Sequence, residues 1–339
     1  MRITIHESWL MLSIDLDEMR CNSCGLCADF CPVSVFEMAA IHGRNLPVPV
    51  HLQECWACDT CVGQCPTGAL RVVQPAAGTG ETPAPIRAQG SVPEALNHAE
   101  QRQYAEWAET LDRILRLRWK PVAINLIRAG APLPSAPKPR VKLRYCQSLM
   151  AARRGKSLLM TADCHACPDG TSILGLTEIP PKLASGELYI KFGKLASINA
   201  ARRMVTERPK LEPRSVQATR VTPLAEAVLP PDVVAIVAQP EQMMWLCMAA
   251  SFYAGKRFDF KVSGFNAQCV ETTLLPLTSG QINVSFGCYG CRASSDIGED
   301  LMFMGVPRAQ LSGLVRGLEG LGTKAIPDSR AKIYLPPPI

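Results

Sequence analysis

A tandem cysteine repeat near the start of the chain limits its possible folds more than any other feature. Each copy reads Cys-x2-Cys-x2-Cys-x3-Cys-Pro, and the two copies begin at Cys21 and Cys55. Within one copy, two Cys-x2-Cys steps wrap a loop closely enough for its thiolates to hold three corners of an iron–sulfur cube. The fourth cysteine lies too far round that loop and binds the cube of the other copy. The repeat therefore predicts two [4Fe-4S] clusters.

This crossing gives each predicted cluster ligands from both copies. The first cluster has the ligands Cys21, Cys24, Cys27 and Cys65, and the second has Cys55, Cys58, Cys61 and Cys31. Zinc is the alternative, but zinc knuckles take two Cys-x2-Cys pairs or include histidine. Two full cysteine runs, each followed by proline, favour the clusters and leave no cysteine of the repeat unused.

The segment from residue 14 to residue 74 resembles the bacterial two-cluster ferredoxins. Its matching features are the two cysteine runs and the segment GALRVV, which is similar to the strand that closes the small ferredoxin sheet. The resemblance implies an α+β ferredoxin-like N-terminal domain in which low-potential clusters pass single electrons. We expect a redox partner protein or another ferredoxin to exchange those electrons.

Composition and charge both change near residue 75. Residues 75–91 read PAAGTGETPAPIRAQGS, which is typical of a linker. Residues 1–74 carry four basic and eight acidic side chains, a net charge of −4. Because the whole chain has a net charge of +6, the remaining residues carry +10. We predict a ferredoxin domain at 1–74, a linker at 75–91 and a basic domain at 92–339. The opposite charges favour either docking of the two domains or an anionic small-molecule ligand; two independently solvated surfaces are the alternative.

Hydrophobic patterns predict a larger α/β (mixed) domain after the linker. Amphipathic spacing indicates a helix over 93–118, and continuous or alternating apolar runs indicate strands. The predicted strands are PVAINLI (121–127), DVVAIVA (232–238), FDFKVSG (258–264) and QINVSF (281–286). Further helices are predicted at 240–255, near 268–277 and at 307–321.

The basic domain contains two Cys-x2-Cys pairs, each with one further cysteine ahead of it. These candidate metal ligands are Cys146, Cys164, Cys167, Cys269, Cys288 and Cys291. Three hypotheses stay open: a third iron–sulfur cluster or a zinc ion, an exchangeable dithiol, or cysteines without a shared function. Cys247 lies on an apolar helix and is predicted to pack in the core.

Basic side chains offer two further candidates. Arg292 directly follows Cys291 and could position a carboxylate or phosphate, so Cys288 and Arg292 are candidate catalytic residues; an ordinary surface ion pair is the alternative for Arg292. A basic group could form a face for an acidic ligand or partner, although a solvated helix face is the default. This group consists of Lys191, Lys194, Arg202 and Arg203.

Several segments of the basic domain resemble the conserved family called domain of unknown function 169, over about residues 105–325. They are PVAINLI, Tyr145-Cys146, RRGKSLLMTADCHACPDGTSILGL, PDVVAIVAQPEQMMWL, SGFNAQCVETTLLPLTSGQINVSFGCYGCR and MGVPRAQLSGLV. The resemblance implies an occurrence in archaea and anaerobic bacteria, but no settled activity. It implies recurrent positions at Cys146, Cys167, Cys269 and Cys288 and favours them as the functional set, whereas Cys291 is less usual and Asn125 replaces an expected Lys.

Other functional classes lack support in the sequence. There is no complete phosphate-binding loop, dinucleotide fingerprint or nucleophile elbow, and no basis for a nucleic-acid partner. No secretory signal or membrane span is evident, so we expect a cytoplasmic protein with reduced thiols. We interpret the chain as an iron–sulfur oxidoreductase or oxidoreductase subunit of anaerobic metabolism, with a cysteine-lined redox or metal site in its C-terminal domain. A ferredoxin-dependent oxidoreductase is one form that such an enzyme can take. The alternative is a non-catalytic electron carrier or metal-handling accessory protein that docks a partner redox enzyme.

Overall fold

The computed structural model describes residues 2–7, 10–52, 55, 59–73 and 94–322. Its described residues fall into two compact units, one drawn from Met1–Ala84 and Pro180–Arg208 and the other from Pro85–Ile179 and Pro209–Ile339. The predicted linker at 75–91 lies outside the described residues. No helix in the described part of the chain has both the length and the apolar character needed to cross a membrane.

Both units contain strands and helices. The described strands are β1 (Arg2–Glu7), β2 (Leu10–Asp17), β3 (Phe36–Ile41), β4 (Arg44–Pro49), β5 (Leu70–Val73), β6 (Val122–Arg128), β7 (Leu158–Thr161), β8 (Val216–Pro223), β9 (Val233–Ala238), β10 (Asn283–Ser285) and β11 (Met302–Pro307). The described α-helices are α1 (Leu26–Asp29), α2 (Thr60–Gln64), α3 (His98–Leu115), α4 (Tyr145–Arg153), α5 (Pro168–Ile173), α6 (Pro181–Ala184), α7 (Glu187–Lys191), α8 (Ile198–Glu207), α9 (Pro240–Ser251), α10 (Leu275–Ser279), α11 (Tyr289–Ser294) and α12 (Arg308–Leu321). A π-helix covers Ala267–Leu274.

The first unit places small antiparallel sheets around the cysteine runs. Strands β1, β2 and β5 form one sheet, and β3 pairs with β4 in a hairpin. The predicted closing strand GALRVV is present as β5, which pairs with Ser13–Leu16 of β2. Leu46, Val35 and Ile14 are buried in a core that also includes Cys27 and Cys61. The cysteine loops are therefore attached to the packed interior of this unit.

Residues 180–208 belong to a different compact unit from the one that we predicted. We predicted them as part of the 92–339 domain, but their helices α6, α7 and α8 cluster with the cysteine-rich unit. They carry six basic and two acidic side chains, a net charge of +4, beside a segment of net charge −4. The Asn199 side-chain amide donates a hydrogen bond to Oδ2 of Asp59, which lies within the second cysteine run. Complementary charge and this contact account for the grouping.

The second unit is built on a six-stranded sheet. Its strand order is β10-β11-β9-β6-β8-β7, and every described pair is antiparallel. Buried side chains fill both faces, with Leu111, Ile236 and Leu314 on one side and Ile124, Leu149 and Ile173 on the other. The larger unit thus mixes helices and strands, as the hydrophobic pattern predicted.

One predicted strand is absent. Residues 258–264 form neither helix nor strand in the structure. The side chain of Asn283 accepts a hydrogen bond from the Lys261 amide and donates one to the Lys261 carbonyl, at 2.9 and 3.2 Å. A side chain therefore satisfies backbone groups that strand pairing would otherwise satisfy.

Candidate functional site

The predicted ligands of the first cluster line one small cavity. Cys21, Cys24, Cys27 and Cys65 all contribute to its wall, together with apolar residues such as Leu16 and Leu70. Gly25 has a φ of 76°, which glycine adopts without strain, and starts the short helix α1 that carries Cys27. The structure thus brings three cysteines of the first run to the last cysteine of the second.

Hydrogen bonds and burial in this cavity suit thiolates that bind a cation. The Ser23 amide donates to Cys21 Sγ at 3.4 Å, and the Ala69 amide donates to Cys65 Sγ at 3.3 Å. Burial raises the pKa of Cys27 to about 11, and the nearby charges of Cys21 and Cys24 raise it further. Closely spaced, desolvated thiols lose their protons readily only when positive charge lies among them. The iron of a cluster supplies that charge. These residues therefore fit a [4Fe-4S] cluster.

A second cavity contains cysteines from the opposite combination of runs. Cys31, Cys55 and Cys61 line it, beside Phe36 and Val72. The Val35 amide donates a hydrogen bond to Cys31 Sγ at 3.3 Å. The remaining predicted ligand, Cys58, lies outside the described residues. The described donors fit a second cluster, and a bound [4Fe-4S] cluster would accept or release one electron at a time.

Cys146, Cys167 and Cys288 lie close together in the second unit. Cys146 is on the first turn of α4, while Cys167 and Cys288 directly precede α5 and α11. Burial raises the pKa of Cys146 to about 11, and the charges of Cys167 and Cys288 raise it as well. Burial likewise raises the pKa of Cys167. Cys146 and Cys167 are therefore desolvated thiols whose neutral forms are favoured at neutral pH, and Cys288 lies beside them.

Cys291 joins this cluster through Cys288. The Cys288 amide donates to Cys291 Sγ at 3.1 Å, and the Cys291 amide donates to Cys288 Sγ at 3.4 Å. The two side chains also hydrogen-bond to each other, and this contact is the main cause of the raised pKa of Cys291. Both residues pack in a small apolar core with Phe303 and Ile297. The less usual cysteine of the sequence comparison is therefore the direct neighbour of Cys288.

A buried arginine lies beside these thiols. The Arg153 side chain is 2% exposed and donates to Asp296 Oδ1 at 3.1 Å. It also donates to Gln268 Oε1 at 3.4 Å, and its charge interacts with those of Cys146 and Cys291. The guanidinium therefore supplies positive charge that stabilises a thiolate in this cluster. Sequence reasoning missed Arg153 and Gln268, because only the burial of their side chains distinguishes them from ordinary polar residues.

The remaining predicted cysteines have separate surroundings. Cys269, on the π-helix, donates to the Asn266 carbonyl at 3.5 Å, and Asn266 donates to Asp169 next to Cys167. Cys164 is buried and contacts Thr161 Oγ1 at 3.4 Å. Cys247 packs against the core, as predicted. Asn266 and Asp169 thus connect Cys269 with the thiols around Cys167. Cys164 instead contacts Thr161.

The geometry does not favour a zinc ion. Within the described ranges, no group of three or more His, Cys, Asp or Glu side chains is placed to hold a metal ion. A single tetrahedral ion needs its ligands at one point, whereas a cluster has a separate iron at each corner and spaces its thiolates more widely. In the described part of the second unit, the cysteines are therefore not grouped around one point, and a zinc ion and a third cluster both stay predictions.

Arg292 has a different position from the one expected of an anion-binding catalytic residue. Its guanidinium donates to the carbonyls of Phe286, Gly298 and Leu301. These bonds close the loops before and after α11. A Cβ at Gly287, where φ is 89°, would lie 3.2 Å from the Arg292 side chain. Arg292 therefore holds the segment around Cys288 in shape, instead of presenting its donors to a ligand.

Comparisons with known proteins find two family regions in the chain. A family model described as uncharacterised ArCR, domain of unknown function 169, matches residues 110–317, and a model described as a 4Fe-4S dicluster domain matches residues 20–69. An uncharacterized protein of Methanocaldococcus jannaschii is 29% identical over 217 residues, which are 63% of this chain and 93% of that protein. No solved structure is significantly similar to the chain.

Proposed function

Because the chain belongs to the uncharacterised ArCR family and carries a 4Fe-4S dicluster domain, we propose that it is an iron–sulfur oxidoreductase or a subunit of one. The dicluster domain supplies electron transfer. The finer proposal is that these electrons reach a cysteine-lined redox site in the second unit. Joining an electron carrier to its acceptor in one chain keeps the two at high effective concentration.

The proposed cluster ligands are the eight cysteines of the tandem repeat. The cavity that contains Cys21, Cys24, Cys27 and Cys65 supports the crossed assignment for the first cluster. The cavity with Cys31, Cys55 and Cys61 supports the same crossing for the second, to which we add Cys58. We place the protein in the cytoplasm and in anaerobic metabolism, where low-potential clusters and reduced thiols persist.

The observation that carries the redox-site proposal is the thiol cluster around Arg153. Cys146 is distant in sequence from Cys288 and Cys291, yet the charges of these residues interact with one another or with this buried guanidinium. A purely structural cysteine gains nothing from a neighbouring positive charge, whereas a thiol that cycles through a thiolate is stabilised by it. We propose that a redox partner protein or a ferredoxin exchanges electrons with the clusters.

A reductive titration of the full chain tests this proposal. Two [4Fe-4S] clusters take up about two electrons, and a cysteine site that undergoes a two-electron reduction adds about two more. We expect about four electrons per oxidised chain, and about two for the triple variant Cys146→Ser, Cys288→Ser, Cys291→Ser. A matched control, Cys247→Ser, should retain about four.

Equal uptake of about two electrons by the unaltered chain and the triple variant would contradict the proposal. The chain would then be an electron carrier whose second unit serves another purpose. Iron content and visible absorption of each variant establish that the clusters were loaded before the titration.

A further inference from the structure

Cys288 and Cys291 contact each other in a way that the other Cys-x2-Cys pair of this unit does not. Each amide of the pair donates to the sulfur of the other residue, and the two thiols hydrogen-bond. Cys164 and Cys167 have the same spacing, but Cys164 contacts Thr161 while Cys167 lies near the Gly170 amide. Sequence spacing is thus equal in the two pairs, and only one pair brings its sulfurs together within the described residues.

The two sulfurs of the contacting pair differ in access. Cys291 is 3% exposed, whereas Cys288 is partly exposed at the start of α11. The Cys291 thiol also donates to the Cys288 carbonyl at 3.1 Å. An external reagent therefore reaches Cys288 first, and Cys291 lies behind it within bonding reach of the same sulfur. This is the arrangement of an attacking and a resolving thiol.

Charge around the pair supports the same chemistry. Arg153 is buried, and its positive charge interacts with Cys291 and Cys146. The Gln268 side chain lies near Cys291, and its Oε1 accepts a hydrogen bond from Arg153. The guanidinium stabilises a thiolate formed during exchange at this site in place of the hydration that bulk water would provide.

We propose that Cys288 and Cys291 form a dithiol–disulfide couple whose substrate class is disulfides, with Cys288 as the attacking sulfur. The transfer of electrons from the clusters to this couple rests on the proposed function. The thiol–disulfide chemistry of the couple does not depend on the proposed function, because a soluble dithiol or disulfide can replace the clusters as reaction partner.

The exchange balances in two steps. Cys288 loses its proton and attacks one sulfur of the external disulfide, so that a mixed disulfide forms and the first thiolate leaves. Cys291 then loses its proton and attacks Cys288 Sγ, which breaks the mixed bond and releases the second thiolate. The two protons end on the released thiols. Regeneration breaks the Cys288–Cys291 bond with two electrons and two protons. A small dithiol supplies both, or two electrons from a low-potential donor pass one at a time through the clusters while solvent supplies the protons.

Thiol labelling of the anaerobically purified full chain tests the proposal. The chain is equilibrated in glutathione buffers from reduced to oxidised, the remaining thiols are alkylated, and peptides are analysed by mass spectrometry. We expect Cys288 and Cys291 to lose both labels together and to appear as one linked peptide pair. Cys164 and Cys167 serve as an internal control of equal spacing and should remain labelled over the same range.

Two variants separate the attacking from the resolving sulfur. In Cys291→Ser, oxidised glutathione should leave a stable mixed disulfide on Cys288. In Cys288→Ser, the buried Cys291 should acquire at least tenfold less glutathione in the same time. Retained cluster absorption shows that each variant has folded.

The outcomes distinguish this proposal from the proposed function. Full labelling of Cys288 and Cys291 in every buffer, or a bond from Cys288 to Cys146 instead, would overturn the couple. If the Cys288–Cys291 bond forms but the reductive titration gives only about two electrons, the couple stands and electron delivery from the clusters fails.

Discussion

Burial of single side chains determines which protonation states the second unit can use. Desolvation raises the pKa of Cys146 and Cys167, while it lowers the pKa of His165 to about 4. Each shift disfavours the charged form, as expected when hydration is lost without full compensation. The guanidinium of Arg153 acts in the opposite direction on Cys146 and Cys291, and the charge of Arg144 lowers the pKa of Cys146 and Cys167.

His165 gives a pH-dependent prediction at the residue scale. Its pKa in the unfolded chain is about 6.5, so protons bind the unfolded state first as the pH falls. The stabilisation by neutral His165 is fully present above about pH 6.5 and is lost toward pH 4. Between pH 7 and pH 5 we expect the free energy of unfolding to fall by about 2 kcal/mol from this residue alone. Urea unfolding followed by tryptophan fluorescence measures this difference.

Two histidine variants show whether His165 is the cause. His165→Gln should remove this part of the pH dependence, because no group with a lowered pKa remains at the position. His98→Gln changes an exposed histidine at the start of α3 and should leave the dependence unchanged. An unaltered pH dependence in His165→Gln would assign it to other groups.

At the scale of elements, prediction succeeded where a periodic pattern coincides with a local signal. The helix predicted at 93–118 is α3, which begins after Asn97 with a capping box to Glu100, and PVAINLI is β6. β11 lies between β9 and β10 in the sheet but was not predicted, because Gly305 and Pro307 interrupt its short apolar run MFMGVP. The π-helix at Ala267–Leu274 has no local sequence signal that separates it from an α-helix.

The candidate sites show the same dependence on local signals. The cysteines of each run follow from local spacing, and seven of the eight predicted ligands line the two cavities in the described part of the chain. The contact between Cys288 and Cys291 could not be separated from the equal spacing of Cys164 and Cys167. That difference arises from the tertiary environment of each pair.

The packing of α12 on α9 gives a prediction with opposite signs at two glycines of one helix. A Cβ at Gly317 would lie 2.0 Å from the Ala249 carbonyl oxygen, whereas a Cβ at Gly313 would meet nothing within 4 Å. Gly317→Ala should therefore lower the free energy of unfolding by about 1–3 kcal/mol through overpacking. Gly313→Ala should raise it by about 0.5–1 kcal/mol, because alanine loses less backbone entropy in a helix. Denaturant unfolding compares both variants with the unaltered chain, and destabilisation of equal size in both would contradict the close approach.

At the scale of the whole molecule, charge is divided along the sequence but partly matched within one compact unit. The first 74 residues have a net charge of −4, and residues 180–208, which belong to the same unit, carry +4. Residues 180–208 lie within the range that matches the ArCR family, but they pack with the dicluster domain and not with the rest of that range. This physical grouping of two sequence regions favours a chain in which both parts act together.

The crossing of ligands between the two cysteine runs gives a prediction for the whole chain. The unaltered protein should bind about eight irons, because two [4Fe-4S] clusters are expected, whereas about twelve would reveal a third. Cys24→Ala with Cys65→Ala removes two ligands of the same cluster and should leave about four irons. Cys55→Ala with Cys65→Ala removes two residues of the same run but one ligand from each cluster, so both clusters should be lost. Iron and sulfide analysis after anaerobic reconstitution compares the two double variants. The reverse result, with four irons kept only by the second variant, would mean that each run binds its own cluster, because loss then follows the run and not the cavity.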